Sequence, residues 1–286
     1  MAAAEIGSEG VGLSEAERAA WQERGFFFRE AVFGPGELDA LRDAAEGVVS
    51  AAEAALPEST TRYEIDGNGY VEIEVASVPA TVQLEHSPGS RTVRVVEPFH
   101  ALDPRFERLV DDERIVAPVR GVIGSEHVAL FTDKLNLKRP REGSRFDWHQ
   151  DSPYWAHFCG HLDQLPNVML TLDDADRGNG CFRLIDGSHR RGMLPGREGE
   201  GVLGPLFTRP DQFDERDAVL AELPAGSLVF FSPHSVHGSP PNRSPRLRRA
   251  LIFTYQPAGH RMFKVDRVRN VEPPRSGERR LGWAKP

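Results

Sequence analysis

His149 and Asp151 stand two residues apart in Phe146-Asp147-Trp148-His149-Gln150-Asp151. On an extended strand, residues at that spacing point to the same side. An imidazole and a carboxylate spaced by ~7 Å of backbone can then converge on one ion. A distant second histidine would complete a two-His-one-carboxylate set, which holds Fe(II) on one face and leaves coordination positions open. Taken alone, His-x-Asp also describes an ordinary polar surface pair. Two candidates for the missing ligand, His234 and His237, follow the apolar run Leu228-Val229-Phe230-Phe231, and a cluster of arginines comes next. A third grouping, His157-x-Cys159-x-His161, has no standard zinc spacing and no evident fourth ligand.

The chain must supply elements that position these groups. Ser14 and Glu17 form a capping box, so a helix is predicted to about Arg24, ended by Gly25. Phe26-Phe27-Phe28 reads as a buried strand. Pro35 opens a second helix, with Leu38, Leu41, Ala45 and Val48 on one stripe, and Pro57 stops it. Asp66-Gly67-Asn68-Gly69 between Tyr63-Glu64-Ile65 and the run Tyr70 to Val75 signals a hairpin. Residues 104 to about 123 read as helix, interrupted near Pro118. From Val128 onward the pattern is strands and turns. There Thr132, Lys134, Asn136 and Lys138 share one parity, facing a site, while Leu135 and Leu137 take the other, facing packing. Short strands are predicted at 168–172, 181–185, 228–231 and 250–255. Residues 190–222, rich in glycine and charge, read as a long loop or lid. Helices first and then many short strands imply a mostly β protein with flanking helices, built on a cupin-like jelly roll. Residues 1–12 are expected to be mobile, 13–266 to form one domain, and the Pro/Arg-rich tail 267–286 to be loosely packed.

At 286 residues the chain suits one large domain or two small ones. The 35 Lys and Arg against 43 Asp and Glu give a net charge of −8, which argues against nucleic acid as a partner. No apolar run reaches 18 residues, and Met1-Ala2-Ala3-Ala4-Glu5 has neither the basic start nor the apolar core of a secretory signal. No membrane partner is therefore expected. Cys159 and Cys181 lie far apart and point to a reducing, cytoplasmic location. Oligomeric state is not legible.

With these pieces in order, the chain resembles the phytanoyl-CoA dioxygenase family of Fe(II)/2-oxoglutarate oxygenases, which includes ectoine hydroxylase. The resemblance spans roughly residues 20–260. Its pieces are Leu137-Lys138-Arg139-Pro140, Trp148-His149-Gln150-Asp151, Leu172 to Asp176, Asn179-Gly180-Cys181, Gly187-Ser188-His189 and His237-Gly238-Ser239 through Arg248. It implies a double-stranded β-helix core, Fe(II), 2-oxoglutarate and O2, and hydroxylation of a small molecule with release of succinate and CO2. It implies His149, Asp151 and His237 as metal ligands, leaving His234 a turn or supporting residue. It implies Arg248, eleven residues past His237, as the cation for the distal carboxylate of 2-oxoglutarate, helped by Ser239. A guanidinium suits that task because it can bind a carboxylate through two parallel hydrogen bonds. Asn136 and Lys134 are further candidate contacts to 2-oxoglutarate, and Arg94, Tyr154 and Trp155 candidate contacts to substrate. Their ordinary readings are a polar sheet rim for the first two, an exposed strand residue for Arg94, and core for the aromatics. Related halogenases have Gly or Ala where Asp151 stands, so this chain defaults to hydroxylation; desaturation, epoxidation or ring formation are further outcomes of the same chemistry. Two rivals remain, a non-catalytic jelly-roll binding protein and an O2-independent metal cupin enzyme.

Overall fold

The structure, a computed structural model, describes residues 11–87 and 89–271. Most of the expected mobile N-terminus and all of 272–286 lie outside that range. The helices are α1 (Glu15–Arg24), α2 (Pro35–Ala55), α3 (Pro104–Leu109), α4 (Glu113–Ile123) and α5 (Ser152–Trp155). The strands before the site are β1 (Phe26–Arg29), β2 (Arg62–Ile65), β3 (Asn68–Val75), β4 (Val78–Leu84), β5 (Val93–Glu97) and β6 (Val128–Lys138). Those that follow are β7 (Phe146–His149), β8 (Asn167–Thr171), β9 (Arg183–Ile185), β10 (Ala218–Leu220), β11 (Leu228–Phe231), β12 (His237–Ser239), β13 (Arg248–Pro257) and β14 (Arg269–Val271).

Local chemistry sets the N-terminal elements as expected. Ser14 Oγ accepts the Glu17 N–H, Glu17 returns the bond, and α1 ends at Gly25 with φ +84°. That residue needs glycine twice over. Its φ is left-handed, and a Cβ there would overlap the His189 ring and lie 2.7 Å from Ser235 Oγ. Gly25→Ala is expected to destabilise the protein by roughly 1–3 kcal/mol, from backbone strain plus the displaced ring. A thermal melt showing an unchanged midpoint would contradict this.

The helix expected over 104–123 is two helices. The break falls at 110–112, where Asp112 caps α4 through the Arg114 N–H, and not at Pro118, which sits inside α4. A capping carboxylate at a new N-terminus decided the boundary, whereas proline removed only one N–H from the helix interior. The hairpin turn is Asp66-Gly67, both at positive φ, shorter than the four-residue signal.

Two sheets face each other. A ten-stranded antiparallel sheet runs β1-β11-β8-β13-β6-β5-β4-β3-β2, with β14 also pairing β6; a smaller one runs β10-β9-β12-β7. On the outer face of the large sheet, α2, α3 and α4 bury Leu38, Leu41, Val48, Phe106, Ile115 and Val119 against Leu135, Leu137, Leu251 and Phe253. Between the sheets, Met169, Val229, Phe231 and Ala250 meet Phe182 and Leu184. The inner face of β6 is therefore the one carrying Lys134, Asn136 and Lys138, as the parity indicated. The expected loose tail begins instead with a strand: Val271 is buried and Arg269 pairs with Glu107 and Asp111. Residues 190–222 are a folded arm of short turns plus β10, bridged to the small sheet through His149 and Phe207. Among the described residues no helix is long and apolar enough to cross a membrane.

Candidate active site

His149, Asp151 and His237 come together between the sheets, with one ligand atom of each within 4.8 Å of the others. Among the described residues this is the one group of its kind. His149 and His237 are cross-strand partners on β7 and β12, and their ring centroids lie 4.1 Å apart. Asp151 does not reach the site as a strand residue. β7 stops at His149, and Asp151 is in helical conformation at the start of α5. Its N–H and that of Ser152 both donate to Pro233 O, at 3.0 and 3.1 Å. Gln150 pins the same turn: its amide donates to the Gly192 and His234 carbonyls and accepts the Leu194 N–H. Convergence thus comes from a clamped turn, not from strand alternation.

Both histidines are held neutral with one ring nitrogen free. His149 Nδ1 donates to Asp147 O at 2.6 Å and His237 Nδ1 to Ser235 O at 2.9 Å. A carbonyl only accepts, so each Nδ1 carries the proton and each Nε2 is left with a free lone pair. Burial, and then the neighbouring His237, push His149 down to about 3; burial also lowers His237. Phe182 and Phe231 flank the His237 ring at 5.2 and 5.1 Å. His234 is turned elsewhere, bonded to Ser152 Oγ and Asp163 at 2.9 Å each. It also supplies the carbonyl that Gln150 holds. The His157, Cys159 and His161 grouping forms no metal cluster: His157 is exposed and His161 bonds Gln256.

Arg248 opens β13 on the same inner face and is only 5% exposed. Its Nη1 donates to Gly180 O, while its buried Nε has no partner. Burial lowers its pKa to about 10. Lys138, the cross-strand partner of Arg248 at the end of β6, is also buried and donates to the carbonyls of Ser239 and Pro240. Burial first, and Arg248 second, push Lys138 down to about 5. Asn136, two residues back, has a buried Oδ1 without a partner. Buried polar atoms without a partner are costly, so Arg248 Nε and Asn136 Oδ1 are positions that a bound polar group could satisfy. Lys138 shares the inward parity of Asn136, but its place beside Arg248 follows from the pairing of β6 with β13 and has no local signal. Ser239 is buried on β12 beside them.

Arg94 is not the exposed strand residue its ordinary reading suggests. Val95 pairs Gln83 and Val93 pairs Leu84, so Arg94 is the extra residue of a bulge between β4 and β5. The bulge lets Val93 and Val96 both enter the helix-side core and turns Arg94 inward, where it is 3% exposed. Its guanidinium lies 3.9 Å over Phe146 and donates to Arg145 O, and burial pulls its pKa to about 10. Tyr154 sets its ring edge against His149 at 5.9 Å, and burial, then Asp151, raise its phenol. Trp155 belongs to a small core with Phe131 and Leu165, beneath Lys134, whose Nζ is 6.0 Å from the indole. Its ordinary reading as core is the one the packing matches. Thr132, expected toward the site, donates to Glu97 at 2.9 Å.

A jelly roll carrying two neutral histidines, one carboxylate and a buried arginine defines the class of mononuclear non-haem iron enzymes that take a dicarboxylate cosubstrate. The donor set suits Fe(II): two imidazole Nε2 atoms and one carboxylate. The unpartnered Arg248 Nε suits the cosubstrate. The chain belongs to the phytanoyl-CoA dioxygenase (PhyH) family, whose model matches residues 21–250. It is an Fe(II)/2-oxoglutarate-dependent dioxygenase. A probable alpha-ketoglutarate-dependent hypophosphite dioxygenase of Stutzerimonas stutzeri is 31% identical over 220 residues, covering 74% of this chain and 73% of that protein. The ectoine dioxygenase of Bordetella bronchiseptica is 29% identical over 240 residues, covering 71% and 76%. EctD from S. alaskensis, solved with 2-oxoglutarate and 5-hydroxyectoine, shares the fold with a TM-score of 0.64 at 21% identity, covering 87% of this chain and 78% of that one.

Proposed function

We propose that His149, Asp151 and His237 are the iron ligands of this dioxygenase. The observation that carries the assignment is the pair of free Nε2 lone pairs facing a carboxylate across one small volume. Arg248 receives the distal carboxylate of 2-oxoglutarate, with Lys138 and Ser239 beside it and Asn136 and Lys134 along the same wall. Arg94 and Tyr154 flank the open side where a substrate would lie, and Trp155 supports Lys134 from below. Bound iron with 2-oxoglutarate supplies the oxidising chemistry. The residues of this chain hold the metal, keep both imidazoles neutral and fix the cosubstrate's charge.

The substrate in this reading is a small polar metabolite, as ectoine and hypophosphite are for the two relatives, and a biosynthetic intermediate fits equally. Asp151 retains its carboxylate, so hydroxylation is the default outcome. The catalytic unit is a single domain, 13–266 extended by β14, working in the cytoplasm without nucleic acid or membrane. Anaerobic titration of the apoprotein with Fe(II) and 2-oxoglutarate tests this. A weak visible charge-transfer band should form and bleach on adding O2, with succinate produced. Folded protein that binds the metal but shows no band would overturn it and favour an O2-independent cupin.

A further inference from the structure

Asn167 stands first in β8, whose five residues are all buried in the middle of the large sheet. It is 1% exposed, flanked by Val168, Met169 and Leu170. An amide in such a strand is costly unless both of its ends are bonded. Both are. Nδ2 donates to Asp151 Oδ2 at 3.0 Å, and Oδ1 accepts from Thr254 Oγ1 at 2.6 Å. Thr254 is itself 1% exposed and is the direct cross-strand partner of Asn167 on β13. The amide has only one permissible orientation. An ionised carboxylate cannot donate, so the NH2 group must face Asp151, the carbonyl must face Thr254, and the hydroxyl must donate. The oxygen so held is also the one that lies 3.8 Å from His237 Nε2.

We propose that Asn167, oriented by Thr254, is a positioning residue for the metal centre. It sets the rotation of the Asp151 carboxylate toward the two histidines and forms, with its amide N–H, an anion-accepting position at the third ligand site. Backbone bonds to the Pro233 carbonyl fix where the Asp151 main chain lies, but among the described residues Asn167 is the side chain that holds its carboxylate. A flexible carboxylate at the end of a turn would otherwise lose rotamer freedom on binding metal, and that loss would weaken the site. The inference rests on the triad being the metal site.

Co(II) serves as the probe, because its visible bands report ligand geometry without turnover. Asn167→Leu keeps the branched heavy-atom shape and removes the donor. It should weaken Co(II) binding by about 10–100-fold, the range for lost ligand-supporting hydrogen bonds, and shift the visible bands. Thr254→Val should weaken binding by less, and Thr254→Ser should restore it. In Asp151→Gly, added formate should recover part of the Co(II) affinity, and the Asp151→Gly/Asn167→Leu double variant should gain nothing from it. A merely structural Asn–Thr pair would lower the melting midpoint of each variant but would leave the spectrum and the formate effect untouched. Folded Asn167→Leu protein with wild-type Co(II) affinity and spectrum overturns the proposal. If that variant does not fold, identical behaviour of Thr254→Val and Thr254→Ser, with no formate rescue, overturns it instead. A His237→Ala variant that binds Co(II) as tightly as wild type would sink the triad assignment itself, and the inference with it.

Discussion

His237→Ala should abolish metal-dependent turnover, lowering succinate release by at least about a thousandfold, the scale on which removing an indispensable catalytic group registers. Two ligands remain after the change, and neither His149 nor Asp151 can close the face that His237 completes. His234→Ala is the paired control, three residues away on the same turn. Its ring bonds Ser152 and Asp163, and Asp163 is a solvent-exposed carboxylate. Losing those bonds should cost about 1 kcal/mol of stability and keep most of the activity. Its contribution to the metal turn, the carbonyl that accepts from Gln150, is main chain and survives the substitution. Fe(II) binding by calorimetry, alongside succinate assays, separates the two. An inactive His234→Ala beside an active His237→Ala would reverse the ligand assignment.

Arg248→Met should raise the 2-oxoglutarate concentration needed for half-maximal turnover by roughly 100-fold, equivalent to about 2.7 kcal/mol and within the cost of truncating one partner of a buried, hydrogen-bonded charge pair. Fe(II) affinity should stay near wild type, because Arg248 touches none of the three ligands. The magnitude follows from burial: the guanidinium is 5% exposed with an unpartnered Nε, so the cosubstrate's carboxylate would meet it free of competing water. Arg248→Lys should recover only part of the loss, since an ammonium cannot form two parallel bonds. Lys138 lies beside it and would leave residual binding, which keeps the effect short of complete loss. Equal increases in the requirement for Fe(II) and for 2-oxoglutarate would indicate misfolding rather than a lost contact.

Much of this was legible in the chain because the relevant forces act over a few residues. The Ser14–Glu17 box, the αL stop at Gly25, the α2 stripe and the inward parity of β6 follow from helix and strand periods alone, and all are present. The pair His149 and Asp151 was visible from spacing, and their proximity holds even though a turn rather than a strand delivers Asp151. The helix break expected near Pro118 was misplaced: it falls before α4, where the Asp112 carboxylate caps the new N-terminus, and one missing N–H at Pro118 does not end the helix.

What the sequence could not decide is set by chain closure across the sheets. Between His234 and His237, the residue pattern alone was neutral. Pairing of β12 with β7 puts His237 beside His149, while the turn sends His234 to Asp163. Arg94 points inward only because one extra residue in β5 opposes β4, a register fact with no local signature. Lys138 meets Arg248 because β6 and β13 align over ten residue pairs. Asn167 finds Asp151 sixteen positions away and Thr254 eighty-seven away. Local residue order set the period of each element and the chemistry it carries. Only the closed double sheet, by burying those groups together and forcing each to find a partner, decided which of them share a site.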